Sequence, residues 1–356
     1  VSPVGEEEMP KRHHPRRGSR AFSPRVRARR HFSRVHSWDN DLSEPQALGF
    51  AGWKAGMTHI MVRDEDPNSM TFRQDVRIPV TVVETPPMRI LAVRGYEQTP
   101  YGKRTAGEVW AENAQWAPRE SDKASDEVMK ELEINRRLPA RYHHDREAHT
   151  ERLRSADLVE VRIIVCTQPK MVGTPSKKPD IMEIGISGNP TEALDWAMDR
   201  LGDTLTAADV FDEGVFTDAI GITKGKGFQG AVKRWGVKLL SHKNSKHRRQ
   251  AGNLGPFSPG YVRKTIPQAG QMGYHQRTEY NKQVLRIATP EEHPITPDGG
   301  FLHYGVIRNN NHYLIIRGSL PGPAKRIIRL RRAVRRDPVA EAPEIVFVST
   351  RSKMGV

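Results

Sequence analysis

The sequence predicts a mainly β protein: a β-barrel body, interrupted by an α-containing insertion and extended by long basic arms. Three observations point there. Apolar and polar residues alternate with period two in several short runs, as half-buried strands require. Breaks rich in Gly, Pro and Asn separate the runs at short intervals, as at Pro86-Pro87, Asp298-Gly299-Gly300 and Pro321-Gly322-Pro323, which suits antiparallel or barrel connections. Charge is segregated. Residues 11–36 hold ten Lys or Arg and no acid, 224–282 hold thirteen with Glu279 as the only acid, and 317–336 hold eight with none. Those stretches carry +30 while the whole 356-residue chain carries +15, so everything else is acidic at −15. Such a distribution describes an ordinary globular body with cationic extensions, which must meet a polyanion or repel themselves.

The N-terminal arm, residues 1–47, contains the run Lys11–His36, which mixes Arg with Pro, Ser and His and has no helical or strand period. Alone it cannot bury enough surface to offset its chain entropy. A solvated tail or a localisation signal is the plain alternative. The body is expected over 48–110, 214–223 and 284–350. Its strands are expected at 57–63, at Ile78, Val80 and Val82, at 89–94, at Leu314 and Ile316, and at Ile345, Phe347 and Ser349. Ile328 and Leu330 alternate with Arg329 and Arg331, which predicts a strand with one apolar and one cationic face, anchoring a basic surface to the body. An edge strand guarded by its charges would give the same pattern.

The insertion, residues 111–213, has strand alternation at Val159, Val161, Ile163 and Val165 between two helical signals. One helix is expected from about Ser121 to Leu138, with Ala124, Val128 and Leu132 on one face. The other opens at Asn189 as cap, with Pro190 at its first position, apolar Leu194, Ala197, Met198 and Leu201, and Gly202 as its stop. Residues 224–283 form a basic extension rich in Gly and aromatics, and 351–356 a C-terminal tail. No internal repeat is present.

Several function classes fall away. Cys166 is the only cysteine, which excludes an intramolecular disulfide and a Cys-based zinc site. No apolar run approaches the roughly 18 residues of a membrane span, and the first thirty residues hold no signal-peptide core. A soluble, intracellular protein is expected. Gly225, Gly227 and Gly230 spell the dinucleotide-binding G-x-G-x-x-G, but no acid follows until Glu279, so the ribose partner is missing. A glycine-rich loop whose backbone approaches phosphates beside Lys224, Lys226 and Lys233 fits better, with an ordinary turn as the plain alternative. Gly185-Ile186-Ser187-Gly188-Asn189 lacks the last glycine of a nucleophile elbow, and His13-His14, His143-His144 and His149 lack ligand spacing. An enzyme acting on RNA or a nucleotide through the Gly225–Gly230 loop is the competing class. Nothing in the sequence asks for catalysis.

The stretch from Gly225 to Lys282 interleaves cations with Phe228, Trp235, Phe257, Tyr261, Tyr274, His275 and Tyr280, the combination that neutralises a phosphate backbone and stacks on bases. Within it, Gly252–Gly260 is almost all turn formers around Phe257, which reads as the tip of a finger.

Phe50-Ala51-Gly52-Trp53-Lys54-Ala55-Gly56-Met57-Thr58-His59, Glu84-Thr85-Pro86-Pro87-Met88-Arg89, Ile222-Thr223-Lys224-Gly225-Lys226-Gly227, Lys233-Arg234-Trp235-Gly236 and Gly273-Tyr274-His275-Gln276-Arg277-Thr278-Glu279 resemble the universal large-subunit ribosomal protein three family, in its archaeal and eukaryotic form. The likeness runs from about Trp38 to Val348, and the length fits the archaeal form better. The resemblance implies a translation-factor-like closed β barrel with an α-containing insertion. It also implies a central extension that enters large-subunit rRNA near the peptidyl transferase region, a part in early subunit assembly, and no enzymatic activity. Implied partners are large-subunit rRNA and neighbouring ribosomal proteins, with no membrane, no small-molecule substrate, no homo-oligomer and no cofactor beyond Mg²⁺ associated through the RNA. The location implied is the cytoplasmic large subunit. The family's finger tip usually carries Trp where this chain has Phe257, a change that keeps stacking and loses an indole N–H bond. Leu239–Gln250, with His242 and His247, departs from the family pattern.

The residues expected to contact RNA are Arg16, Arg17, Arg20, Arg25, Arg27, Arg29 and Arg30 in the arm, and Lys54 in the body. In the extension they are Lys224, Lys226, Lys233, Arg234, Trp235, Lys238, Lys243, Lys246, His247, Arg248, Arg249, Phe257, Arg263, Lys264, Tyr274, His275, Arg277 and Lys282, followed by Lys325 and Arg326. Cations would sit on phosphates, glycines would permit close backbone approach, and Phe257, Trp235 and Tyr274 would stack or wedge.

Overall fold

The computed structural model describes residues 21–38, 42–65, 67–111, 146–297, 299–301, 307, 311–335 and 342–351. Arg16, Arg17, Arg20 and the expected helix at 121–138 lie outside the described residues. Two compact units divide the chain: Val1–Arg29 with Thr223–His275, and Arg30–Ile222 with Gln276–Val356.

The strands, in chain order, are β1 (Gly49–Arg63), β2 (Asp75–Glu84), β3 (Met88–Thr99), β4 (Gly102–Trp110), β5 (Leu158–Cys166), β6 (Ile181–Gly185) and β7 (Thr204–Leu205). They continue with β8 (Phe216–Ile222), β9 (Phe228–Gln229), β10 (Gly270–Gln271), β11 (Gln276–Ala288), β12 (Tyr313–Arg317), β13 (Ile327–Arg332) and β14 (Ile345–Val348). The helices are α1 (Arg146–Ser155), α2 (Pro190–Asp199) and α3 (Ala231–Trp235). The fold is mainly β.

In the larger unit the antiparallel order β13-β8-β11-β12-β2-β1 returns on itself, because the start of β1 also pairs with β13, from Gly49↔Arg331 to Trp53↔Ile327. One long strand serves both jobs: β2 runs along its whole other side, while its far end, at Ile60–Val62, carries β14. The register shifts between Lys54 and Gly56, where a Cβ on Gly56 would run into the Phe301 ring. Val80, Val82, Leu314, Ile316, Ile328 and Leu330 are fully buried, which places the apolar phase of each alternation inside.

β3 and β4, which the sequence reading assigned to the barrel, lie instead in a second sheet of order β4-β3-β5-β6, with β7 beside β3. Alternation marks a strand without naming its partner, and β3 pairs with β5 of the insertion over Arg89–Glu97. One continuous apolar cluster joins the two sheets, including Phe50, Val82 and Leu330 from the first and Val93, Ile163 and Ile184 from the second. α1 adds Leu153, which packs where Gly95 and Gly107 leave room: a Cβ on Gly95 would stand 2.8 Å from its Cδ2.

The helix expected after Asn189 is present as α2, with Leu194 and Ala197 buried and Pro190 at its first position. Asn189 supplies the capping backbone, but its side chain makes no cap hydrogen bond, and the helix closes at Asp199, before Leu201 and the left-handed Gly202. Two further expectations change. Phe347 is half exposed, because β14 pairs with β1 through a register shift that skips Val346 and resets the alternation. The cationic face of β13 is not a surface: all six of its residues are buried, and the strand is paired on both sides, by β8 and β1, so it is no edge strand either.

Candidate nucleic-acid interface

The smaller unit has almost nothing apolar to hold it. Among its described residues, Ala231 and Trp235 are the buried hydrophobics, and His275 is the one buried polar side chain. Polar and cation–π contacts organise it instead. The Trp235 indole N–H donates to the Gln268 carbonyl at 2.8 Å, and Arg234 donates to the carbonyls of Gln271 and Gln268 at 3.0 and 2.9 Å. The Arg25 guanidinium lies 3.9 Å from the centre of the Trp235 ring and donates to the Arg234 carbonyl at 2.5 Å. Further along the arm, His275 Nδ1 lies 2.8 Å from the Val26 carbonyl, Ala28 N–H donates to the Tyr274 carbonyl at 2.8 Å, and Arg27 lies 5.6 Å from the centre of the Tyr274 ring. Residues 25–28 are thereby laced along Trp235 and Tyr274–His275.

The glycine loop is laced as well. Lys226 N–H donates to Met272, Met272 N–H to Gly227 and Tyr274 N–H to Lys224. Gly273 is left-handed, with a Cβ position blocked by the Lys224 carbonyl, so this close crossing requires glycine. The preceding β8 is antiparallel to both neighbours and the following α3 has five residues, so no βαβ unit exists and the dinucleotide reading fails on topology.

Most of the expected cations are presented to solvent. Lys224, Lys226, Lys233, Lys238, Lys243, Lys246, His247, Arg248, Arg249, Arg263 and Lys264 are exposed, as are Arg27, Arg29, Arg30 and Lys325. Phe257 is wholly exposed at 100%, within a turn shaped by left-handed Gly252 and Gly255 and by an N–H bond from Gly255 to Asn253 Oδ1 at 2.8 Å. Phe228 and Tyr261 are exposed as well, and their place among cations was their signal in the sequence.

Other expected contacts are engaged within the chain. Trp235 is buried against Arg25 and is no free stacking plane, because the arm supplies the cation that covers it. Tyr274 is half-buried under Arg27, and His275 is buried. Lys54 is buried, with its ammonium donating to the Leu320 carbonyl at 2.8 Å. Arg326 donates to the Ile222 carbonyl at 3.2 Å, Arg277 to that of Gln276 at 2.8 Å, and Lys282 pairs with Glu279 at 2.9 Å. Burial holds the guanidinium pKa of Arg234 and of Arg277 below the ordinary value.

Exposed cations together with a bare aromatic side chain are the kinds of group that can neutralise phosphates and stack on a base. Among the described residues no group of three or more His, Cys, Asp or Glu is placed to hold a metal ion, and no helix is long and apolar enough to cross a membrane.

The family model for ribosomal protein L3 matches residues 9–355. Among curated relatives, the large ribosomal subunit protein uL3 of Archaeoglobus fulgidus is 48% identical over 97% of this chain and 99% of its own length. The protein of the same name from Methanothermobacter thermautotrophicus is 45% identical over 98% of this chain and 100% of its own, and that of Methanocaldococcus jannaschii is 45% identical over 96% and 98%.

Proposed function

The chain belongs to the ribosomal protein L3 family, and from that premise we propose that it is a structural constituent of the large ribosomal subunit that fastens large-subunit rRNA through its cationic arm and central extension. It is a ribosomal component rather than an enzyme, its partners are large-subunit rRNA and the neighbouring ribosomal proteins, and its place is the cytoplasmic large subunit. The observation that supports this most directly is the segment Lys224–Lys264, which carries twelve exposed cationic or histidine side chains together with the wholly exposed Phe257.

The ring of β1, β2, β12, β11, β8 and β13 we read as the family's closed, translation-factor-like barrel. The proposed roles divide by position. Lys238, Lys243, Lys246, His247, Arg248, Arg249, Arg263 and Lys264 meet phosphates. Phe257 stacks on or wedges between bases. Arg25, Arg27, Trp235, Tyr274 and His275 hold arm and extension in one shape for the RNA to meet, near the peptidyl transferase region and from early in subunit assembly. The family carries no cofactor of its own, and any Mg²⁺ reaches the protein through the RNA. Chemical footprinting of large-subunit rRNA with and without the full chain tests the reading. Protections should appear on rRNA and the chain should stay with large subunits through a high-salt wash; loss in the wash together with salt-insensitive binding of a free nucleotide would sink it.

A further inference from the structure

The larger unit contains a surface cavity of about 630 Å³, walled by the stretch Arg30–Trp38, by β3 to β6 and by Arg329 of β13. Its two carboxylates are engaged: Glu108 pairs with Arg94 at 2.5 Å, and Glu183 pairs with both Arg94 and Arg162. Arg30, Arg34 and Arg329 also line the cavity, and none of the three lies within ion-pair distance of a carboxylate among the described residues. Arg329 is the telling one. It is only 7% exposed, and its buried Nε has no hydrogen-bond partner. Burial, opposed by the carboxylates of Asp180 and Glu183 and reinforced by Arg34, leaves its guanidinium lowered to about 10, still a cation at neutral pH.

A buried guanidinium with an unmade bond is costly to keep, and a site of this kind asks for an acceptor from outside. Three arginines on one cavity favour a phosphate, which their planar forks match. The remaining walls favour a base. Trp38 and Trp110 line the cavity, and the Trp38 indole is seated by Gly49 and Gly185, where a Cβ would stand 2.7 and 2.6 Å from it. The volume falls within the roughly 300 to 1,000 Å³ of sites that enclose small ligands.

We propose that this cavity seats one unstacked nucleotide of the RNA, with its phosphate on Arg30, Arg34 and Arg329 and its base against Trp38 or Trp110. The proposal rests on the rRNA-binding reading above. RNA recognition commonly splays out single nucleotides onto aromatic planes, whereas an acidic peptide would leave both indoles without a role.

The test footprints large-subunit rRNA with the full chain and with the double variant Arg30→Ala, Arg34→Ala, both residues being exposed and away from the core; Arg329→Lys serves as a second probe. One protected nucleotide should become reactive in the double variant while all other protections stand, and the slope of log affinity against log salt should flatten by about 1.5 for two lost contacts. An unchanged footprint and slope would overturn the proposal and leave the rRNA reading intact. Absence of any protection by the unmodified chain would overturn both. Release of that one nucleotide by poly-glutamate, or tight binding of free nucleoside monophosphate at the same arginines without RNA, would reassign the cavity and overturn the proposal as well.

Discussion

Replacing Lys243, Lys246, Arg248 and Arg249 together by Ala removes four exposed cations from seven consecutive positions without touching a buried side chain. If each meets one phosphate, the slope of log affinity against log salt flattens by about 0.7 to 0.9 per contact, or roughly 3 in all. Across 50 to 200 mM salt this means the variant loses roughly 50- to 150-fold less of its affinity than the parent does, having started weaker. Filter binding or fluorescence anisotropy on a large-subunit rRNA fragment over a salt series reads the slope, and a thermal melt of the free protein supplies the control. The four side chains have no ion pair to break among the described residues, so the melt should not move. An unchanged slope would refute the assignment of these cations to phosphates, and a lowered melting temperature would show that they support the fold instead.

Phe257→Ala should leave the melt of the free chain unchanged while weakening RNA binding by about 1 to 3 kcal/mol, roughly 5- to 150-fold, as loss of one base–aromatic stack does; equal affinity would remove Phe257 from the interface. Asp218 is fully buried and accepts from Arg331 at 3.0 and 3.2 Å, so Asp218→Ala leaves a buried guanidinium without its counter-charge and should cost about 3 to 5 kcal/mol, about 4 to 9 °C in melting temperature for a chain of this size. Adding Arg331→Met should recover much of that loss, and failure to do so would mean the cost lies elsewhere in the site. Burial pushes the Glu160 carboxyl up, but hydrogen bonds from Arg162 and Lys103 outweigh it and hold its pKa below the usual range. Its contribution to stability is therefore complete above the unfolded-state value of about 4.3 and lost as pH falls through the folded one; Glu160→Gln should flatten the acid limb of a stability-against-pH curve. Burial pushes the Cys166 thiol up to about 11, so a thiol reagent at pH 8 should label folded protein at least about 100-fold more slowly than unfolded protein.

Much of the fold was legible as alternation. Ile78, Val80 and Val82, or Leu314 and Ile316, announce strands because every second side chain must face the same side of a pleated ladder. Pairing was not legible: β3 and β4 read like their neighbours in the chain, yet β3 joins β5, nearly seventy residues on, and nothing local in either strand encodes that choice. The cationic stretches were legible for the same elementary reason, since no short polar segment offsets thirteen positive charges with one Glu.

Which of those cations remain free for a polyanion was decided only in three dimensions. Lys243 and Arg331 look alike in the sequence, each a base among bases, but the first is exposed while the second is buried and paired with Asp218. Trp235 and Phe257 both read as stacking planes; Arg25, more than two hundred positions earlier, covers the one and leaves the other bare. Period and composition tell a residue which face it occupies, but what lies over that face is set by segments remote in the chain, because burial is a property of neighbours brought together by packing rather than of the residue itself.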